Sequence, residues 1–266
     1  MTKSKNLIGG AVVVVAAAAL TVYIYRDMRS PVSLTSEGAA TSTGVAIEPF
    51  GGAGNYTVKV LSNDNSSFAA RLPNLDTTVT DYGHLDQAAL QVAKQNIATI
   101  SAALKQNPND LNKWLQLAVL RKILSDYKSA LAILDFTAAT WPDNYVSFAD
   151  RADIYQFYDK NPQEAESNLK KVIQLKPDYV QAYEDLRTLY TSSDYPGGQA
   201  KALPVLLLGL KNNPQSVDLM TYVARYYRST GDKANANAYY DKAVETARAG
   251  NNANLADSIA REEQGV

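Results

Sequence analysis

The side chains able to carry chemistry in this chain of 266 residues are few and widely separated. His84 is the only histidine, and cysteine is absent. Histidine is the usual general base near neutral pH and the commonest metal ligand, so most such chemistry would have to run through one residue. Without cysteine there are no disulfides, thiolate metal sites, iron–sulfur clusters or thiol nucleophiles. His84 stands beside Asp86 ahead of a helical pattern and reads as a loop or cap residue. Asp150 and Asp153 are spaced i, i+3, which puts two carboxylates on one helical face, as shared acid–base work would need. Neither has a third group in the sequence to complete a site. Gly51-Gly52-Ala53-Gly54 lacks the lysine and helix that a phosphate-cradling loop requires. The 26 Lys+Arg balance 27 Asp+Glu, and the Lys170-Lys171 pair with scattered arginines makes no stripe, so no nucleic-acid partner is expected. The chemistry points to binding rather than catalysis, with no enzyme activity, cofactor or metal expected.

The elements that would position a binding surface begin at the N-terminus. Residues 7–25, LIGGAVVVVAAAALTVYIY, are 19 residues without a charge, following a short tail over 1–6. At about 1.5 Å per residue this is roughly 28 Å of helix, close to the hydrocarbon thickness of a bilayer. Lys3 and Lys5 precede it, Arg26 and Arg29 follow, and Tyr23 and Tyr25 fall where an interfacial aromatic belt lies. A single transmembrane helix, anchored N-in with the bulk of the chain outside, is the expectation; a cleaved secretory signal is the alternative. Residues 30–80 read as a stalk, small and polar at first. NYTVKVL at 55–61 alternates like a strand, giving either a short hairpin over 55–70 or an extended segment along the downstream domain.

Downstream the sequence is periodic. Asn107-Pro108-Asn109-Asp110, Trp141-Pro142-Asp143-Asn144, Lys176-Pro177-Asp178-Tyr179 and Asn213-Pro214-Gln215-Ser216 recur at proline spacings of 34, 35 and 37. Each reads as a helix stop followed by a cap for the next helix. Between the stops lie Trp114, Leu117, Ala118, Ala130 and Leu134; then Phe148, Ala152, Tyr155, Ala165 and Leu169. Next come Tyr183, Leu186, Tyr190, Ala202 and Leu206, and last Met220, Val223, Ala224, Tyr227, Ala236, Tyr240 and Ala243. This pattern resembles the tetratricopeptide repeat (TPR) family over residues 111–248, about half the chain. Departures fall at Arg121 (for Tyr), Thr137 (for Ala), Arg151 (for Leu), Arg187 (for a small residue) and Gly209 (for Ala). The third unit also has a turn lengthened by three residues at 192–198, with Pro204 close behind, so its second helix is predicted to start late, near Lys201 to Leu203.

The resemblance implies an all-α fold: a TPR-type helix-turn-helix superhelix of about four repeats (111–144, 145–179, 180–216, 217–248) behind one transmembrane helix. A leading helix over 85–106 and a capping helix over 252–263 would cover its ends. It also implies a concave groove, lined by the first helix of each unit, that takes a peptide or partner helix. Carried onto this sequence, the groove positions are Asn112, Leu115, Val119 and Lys122; Ala149, Asp153 and Gln156 beside Asp150; Glu184 and Thr188 beside Asp185; and Thr221, Arg225 and Arg228. Such a groove is acidic in the middle and basic at its C-terminal end, suiting a partner with the opposite gradient. The functional expectation is a membrane-anchored protein-interaction scaffold in an envelope assembly such as a secretion, pilus or cell-wall complex. An organelle import or chaperone receptor with cytosolic repeats and a self-assembling structural subunit, a homo-oligomer, remain alternatives.

Overall fold

A computed structural model describes residues 45–49, 56–60, 71–83 and 85–265. The predicted tail, the span over 7–25, much of the stalk and His84 lie outside the described residues. Among the described residues no helix is long and apolar enough to cross a membrane. The chain divides into two compact units at Leu124/Ser125. This boundary falls inside the first predicted repeat.

The first unit begins with strands β1 (Val45–Pro49) and β2 (Tyr56–Val60), paired antiparallel with Ile47 opposite Val58. Only the second strand falls inside the 55–70 window; the first lies upstream of it, because the alternating NYTVKVL segment is the second strand of the hairpin. Helices α1 (Gln87–Gln106) and α2 (Leu111–Ile123) follow. Both start on an aspartate: the carboxylates of Asp86 and Asp110 accept from the amides of Ala89 and Lys113, satisfying donors left free in a first turn. Residues 71–80, read from sequence as the end of the stalk, are tied to these helices. The Arg121 guanidinium, buried on α2, donates to the carbonyls of Thr77 at 2.9 Å and Thr78 at 3.2 Å. Lys105 on α1 pairs with Asp76, and the Tyr82 amide donates to the Leu124 carbonyl. Burying a guanidinium is costly unless its donors are met, and here a bare stretch of backbone meets them.

The second unit opens with α3 (Tyr127–Thr140) and continues as three antiparallel helical hairpins. These are α4 (Tyr145–Phe157) with α5 (Pro162–Leu175), α6 (Val180–Thr191) with α7 (Gln199–Asn212), and α8 (Val217–Ser229) with α9 (Lys233–Ala249). Helix α10 (Ala253–Gln264) closes the unit. Ala152 on α4, Ala165 on α5, Ala182 on α6 and Ala202 on α7 are buried, so backbones approach closely, while Leu169, Tyr183, Leu186 and Leu206 fill the space between hairpins. A second cluster joins Met220, Ala224, Tyr240, Ala243 and Ile259 across α8, α9 and α10. Each fully buried Leu or Ile contributes about 1.5–3 kcal/mol, and one buried cluster runs without a break through α4, α5, α6, α7 and α8, so the stack rather than any one hairpin is the stable object.

The departures from the repeat pattern each have a local partner. The Thr137 hydroxyl donates to the Leu134 carbonyl and receives the Ser147 hydroxyl at 2.8 Å, joining α3 to α4. Arg151 lies 3.0 Å from the Asp135 carboxylate. At Gly209 a Cβ would stand 2.9 Å from the Tyr183 ring and 3.1 Å from Leu219, so alanine does not fit. Helix α7 starts earlier than predicted, at Gln199, with Pro204 inside it. The proline withholds an N–H only from the Ala200 carbonyl, near the exposed start of the helix where water can satisfy it. The lengthened turn before α7 is pinned by Glu166 on α5. Its carboxylate accepts from the hydroxyls of Tyr190 (2.8 Å) and Tyr195 and pairs with Lys170 (2.7 Å) and Lys201 (3.3 Å). Burial would raise the pKa of Glu166, but these four donors outweigh it and hold the carboxyl down at about 2.

Candidate functional site

The first helices of the three hairpins, α4, α6 and α8, carry all the predicted groove positions of the second unit. They are linked to one another and to α10 by a run of polar contacts. From α4, the Gln156 amide donates to the Asp185 carbonyl on α6 at 3.4 Å. From α8, the Tyr222 hydroxyl donates to the Glu184 carboxylate on α6. Also from α8, Arg225 donates through two nitrogens, at 2.7 and 2.6 Å, to the carboxylate of Glu262 on α10. The Arg228 guanidinium donates to the Glu262 backbone carbonyl at 2.7 Å, and the Tyr240 hydroxyl from α9 to its carboxylate at 2.8 Å. Successive partners lie 29, 38 and 37 residues apart, about one repeat.

Two features of this face bear on binding. Burial pushes the Asp185 carboxyl up to about 6; a hydrogen bond from Gln181 opposes the shift, and the nearby charges of Glu184 and Asp153 add to it. Beside it, between α6 and α8, is a pocket of about 380 Å³ lined by Glu184, Arg187, Thr191, Gln199, Tyr222 and Arg225. The guanidinium carbons of Arg187 and Arg225 each lie 5.7 Å from the centroid of the Tyr222 ring, close enough for cation–π attraction. Arg187 reaches Glu184 only at 3.7 Å, a loose pairing, and donates to the Thr188 hydroxyl at 3.0 Å. With Arg225 committed to Glu262, the pocket offers the loosely paired Arg187 guanidinium beside an aromatic face, an arrangement suited to a polar segment bearing an acidic group.

The predicted groove residues separate into three groups. Leu115, Val119, Lys122, Asp150 and Thr221 are buried and present nothing to a partner. For Leu115, Val119 and Lys122 the reason is that α2 is covered on most sides, with polar Arg121 and Lys122 buried beside its apolar residues. Asp150 shares the inward i, i+3, i+7 face of α4 with Ser147 and Ile154, and the Thr221 hydroxyl turns back to the Val217 carbonyl at 2.8 Å. Arg225 and Arg228 are exposed but engaged by Glu262, so the basic end of the predicted groove is covered by the chain's own last helix. Ala149, Asp153, Gln156, Glu184, Asp185 and Thr188 remain half-exposed on α4 and α6, and Asn112 is exposed on α2.

Arg187, Tyr222 and Glu262 were not among the expected site residues. Arg187 had a visible signal as the large cation at a position the pattern reserves for a small side chain. Glu262 had none, because its partner Arg225 lies 37 residues away.

No protein-family model matches the chain, and no curated protein matches it by sequence. Solved structures are similar at low identity. MamA is 20% identical with a TM-score of 0.48, over 63% of this chain and 98% of that one. A thermophilic TPR protein of Thermus thermophilus is 24% identical with a TM-score of 0.44, over 65% and 88%. The pilF protein of Pseudomonas aeruginosa is 18% identical with a TM-score of 0.47, over 65% and 83%. The fold of the second unit is TPR-type on its own register of hairpins, small contact residues and interhairpin aromatics.

Proposed function

We propose that this chain is a non-catalytic protein-interaction scaffold whose second unit receives a polar segment of a partner protein on the face formed by α4, α6 and α8. The observation that carries this reading is the pocket beside Tyr222, where Arg187 stands in place of a small residue and has only a loose carboxylate partner. A partner carboxylate would pair with Arg187, and a neighbouring partner cation would meet Asp153 and Asp185. In the same proposal, residues 7–25 hold the scaffold in a bilayer with the repeats outside the cytoplasm, as part of an envelope assembly. The uncharged length and flanking charges of that segment support the membrane part.

Crosslinking in native membranes followed by mass spectrometry tests the binding surface. Arg187→Glu is expected to lose the crosslinked partner while the circular dichroism and melting temperature stay near those of the wild type. Arg225→Glu is a poorer probe, because it also breaks the contact with Glu262. A partner retained at wild-type yield by Arg187→Glu sinks the assignment. For the anchor, protease added to the cytoplasmic side of sealed vesicles should leave the repeats intact; their digestion would favour the cytosolic orientation.

A further inference from the structure

Helix α7, QAKALPVLLLGLKN, is apolar on more faces than one hairpin can bury. Ala202, Val205, Leu206 and Gly209 face the core, yet Leu207 and Leu208 remain 37% and 44% exposed. They are the only exposed large aliphatic side chains among the described residues, the other exposed large hydrophobics being Tyr82, Phe157 and Tyr158. Leu208 borders a cleft of about 520 Å³ between α5, α6 and α7, walled by Ile173, Leu186, Pro204 and Val205. This cleft lies on the second-helix side of the hairpins and shares no lining residue with the pocket beside Tyr222.

Its rim is positive. Lys170 from α5 and Lys201 from α7 both line it, with side chains 61% and 48% exposed. They share the single carboxylate of Glu166, which leaves one positive charge over between them. Exposed Lys211 adds another near the end of α7. An apolar trough between unequalised lysines favours a segment whose apolar side chain is flanked by carboxylates, and disfavours a basic one. It also disfavours a second copy of this chain. In a two-fold pair the same patch meets itself, setting Lys170 and Lys201 against like charges.

We propose that the α5–α7 cleft is a second docking site, taking an amphipathic helical segment of a partner through a large apolar side chain with acidic residues on either side. Leu208 covers the outer half of that side chain, and Lys170 and Lys201 meet the carboxylates.

The test uses the full chain and two fluorescein-labelled helical peptides. Both present leucine on one face; one is flanked by glutamates, the other by lysines. In low salt the glutamate peptide should bind at least tenfold more tightly than the lysine peptide. Leu208→Asn should weaken it at least tenfold, and Lys170→Glu should narrow the preference between the peptides. Because both positions are exposed, circular dichroism should match the wild type, and Arg187→Glu should bind the peptide normally. Equal binding of the two peptides, no binding of either, or an unchanged affinity in Leu208→Asn overturns the proposal. So does sedimentation in which Leu208→Asn converts a dimer to a monomer, which would give the surface to a second copy.

Discussion

Trp114 and Tyr183 occupy the same position in their repeats, and both use the polar end of a buried ring in the same way. The Trp114 indole N–H donates to the Pro108 carbonyl at 2.8 Å, and the Tyr183 hydroxyl donates to the Pro177 carbonyl at 2.7 Å. Each bond spans six residues and fastens the proline stop to the helix it precedes. Tyr183 also receives the Asn212 amide at 2.7 Å. Tyr183→Phe keeps the packing and takes the hydroxyl away from the Asn212 amide, while the Pro177 carbonyl keeps the Asn213 amide at 3.0 Å, so chemical denaturation should show a loss of about 1 kcal/mol. Asp185 behaves in the opposite sense. Its carboxyl releases a proton at about 3.8 in an unfolded chain but holds it to about 6 in the fold. Folding therefore takes up a proton in that window, stability falls as pH rises through it, and the cost persists above it. Asp185→Asn should stabilise the protein at pH 7 by no more than about 2 kcal/mol, allowing for solvent screening, and the gain should vanish below pH 4. A titration of the side-chain carboxyl by NMR with a midpoint near 4 would refute the cause assigned.

At the scale of elements, α10 does more than cover an apolar end. Ala256 and Ile259 pack into the last cluster, and Glu262 then gathers Arg225, Arg228 and Tyr240. Hydrogen bonds from Arg225, the largest influence, hold the Glu262 carboxyl below its ordinary range. Glu262→Gln keeps the shape but removes the charge that both arginines face. Hydrogen exchange over 253–264 should then accelerate several-fold while exchange in α4 and α5 stays unchanged; protection retained throughout α10 would show that apolar packing alone holds it. The helices themselves were legible because proline stops, caps and apolar spacing act locally, as at Asp110, Asn144 and Ser216. The start of α7 was not, since the cost of Pro204 depends on whether the one freed carbonyl meets water. The roles of Arg121 and Glu262 were hidden for another reason. Their partners lie about 40 residues away, and no local rule selects Thr77 for Arg121 or Arg225 for Glu262.

For the whole molecule, the repeat pattern revealed the hairpins but overstated the groove. A consensus assigns outward positions by their place in a hairpin, whereas burial at Leu115, Val119 and Asp150 follows from the particular faces of α2 and α4. The departures from the consensus were more informative than the matches: Arg121 binds the preceding arm, Thr137 joins α3 to α4, and Arg187 opens the pocket beside Tyr222. The central claim is that this pocket is where a partner docks. A photo-crosslinking residue at Thr191, exposed on the pocket rim, addresses it directly, with the same residue at exposed Asn237 on α9 as the control. In native membranes Thr191 should give one discrete adduct that Arg187→Glu abolishes, and Asn237 should give none. Adducts of equal yield from both positions, or none from Thr191, would contradict the account.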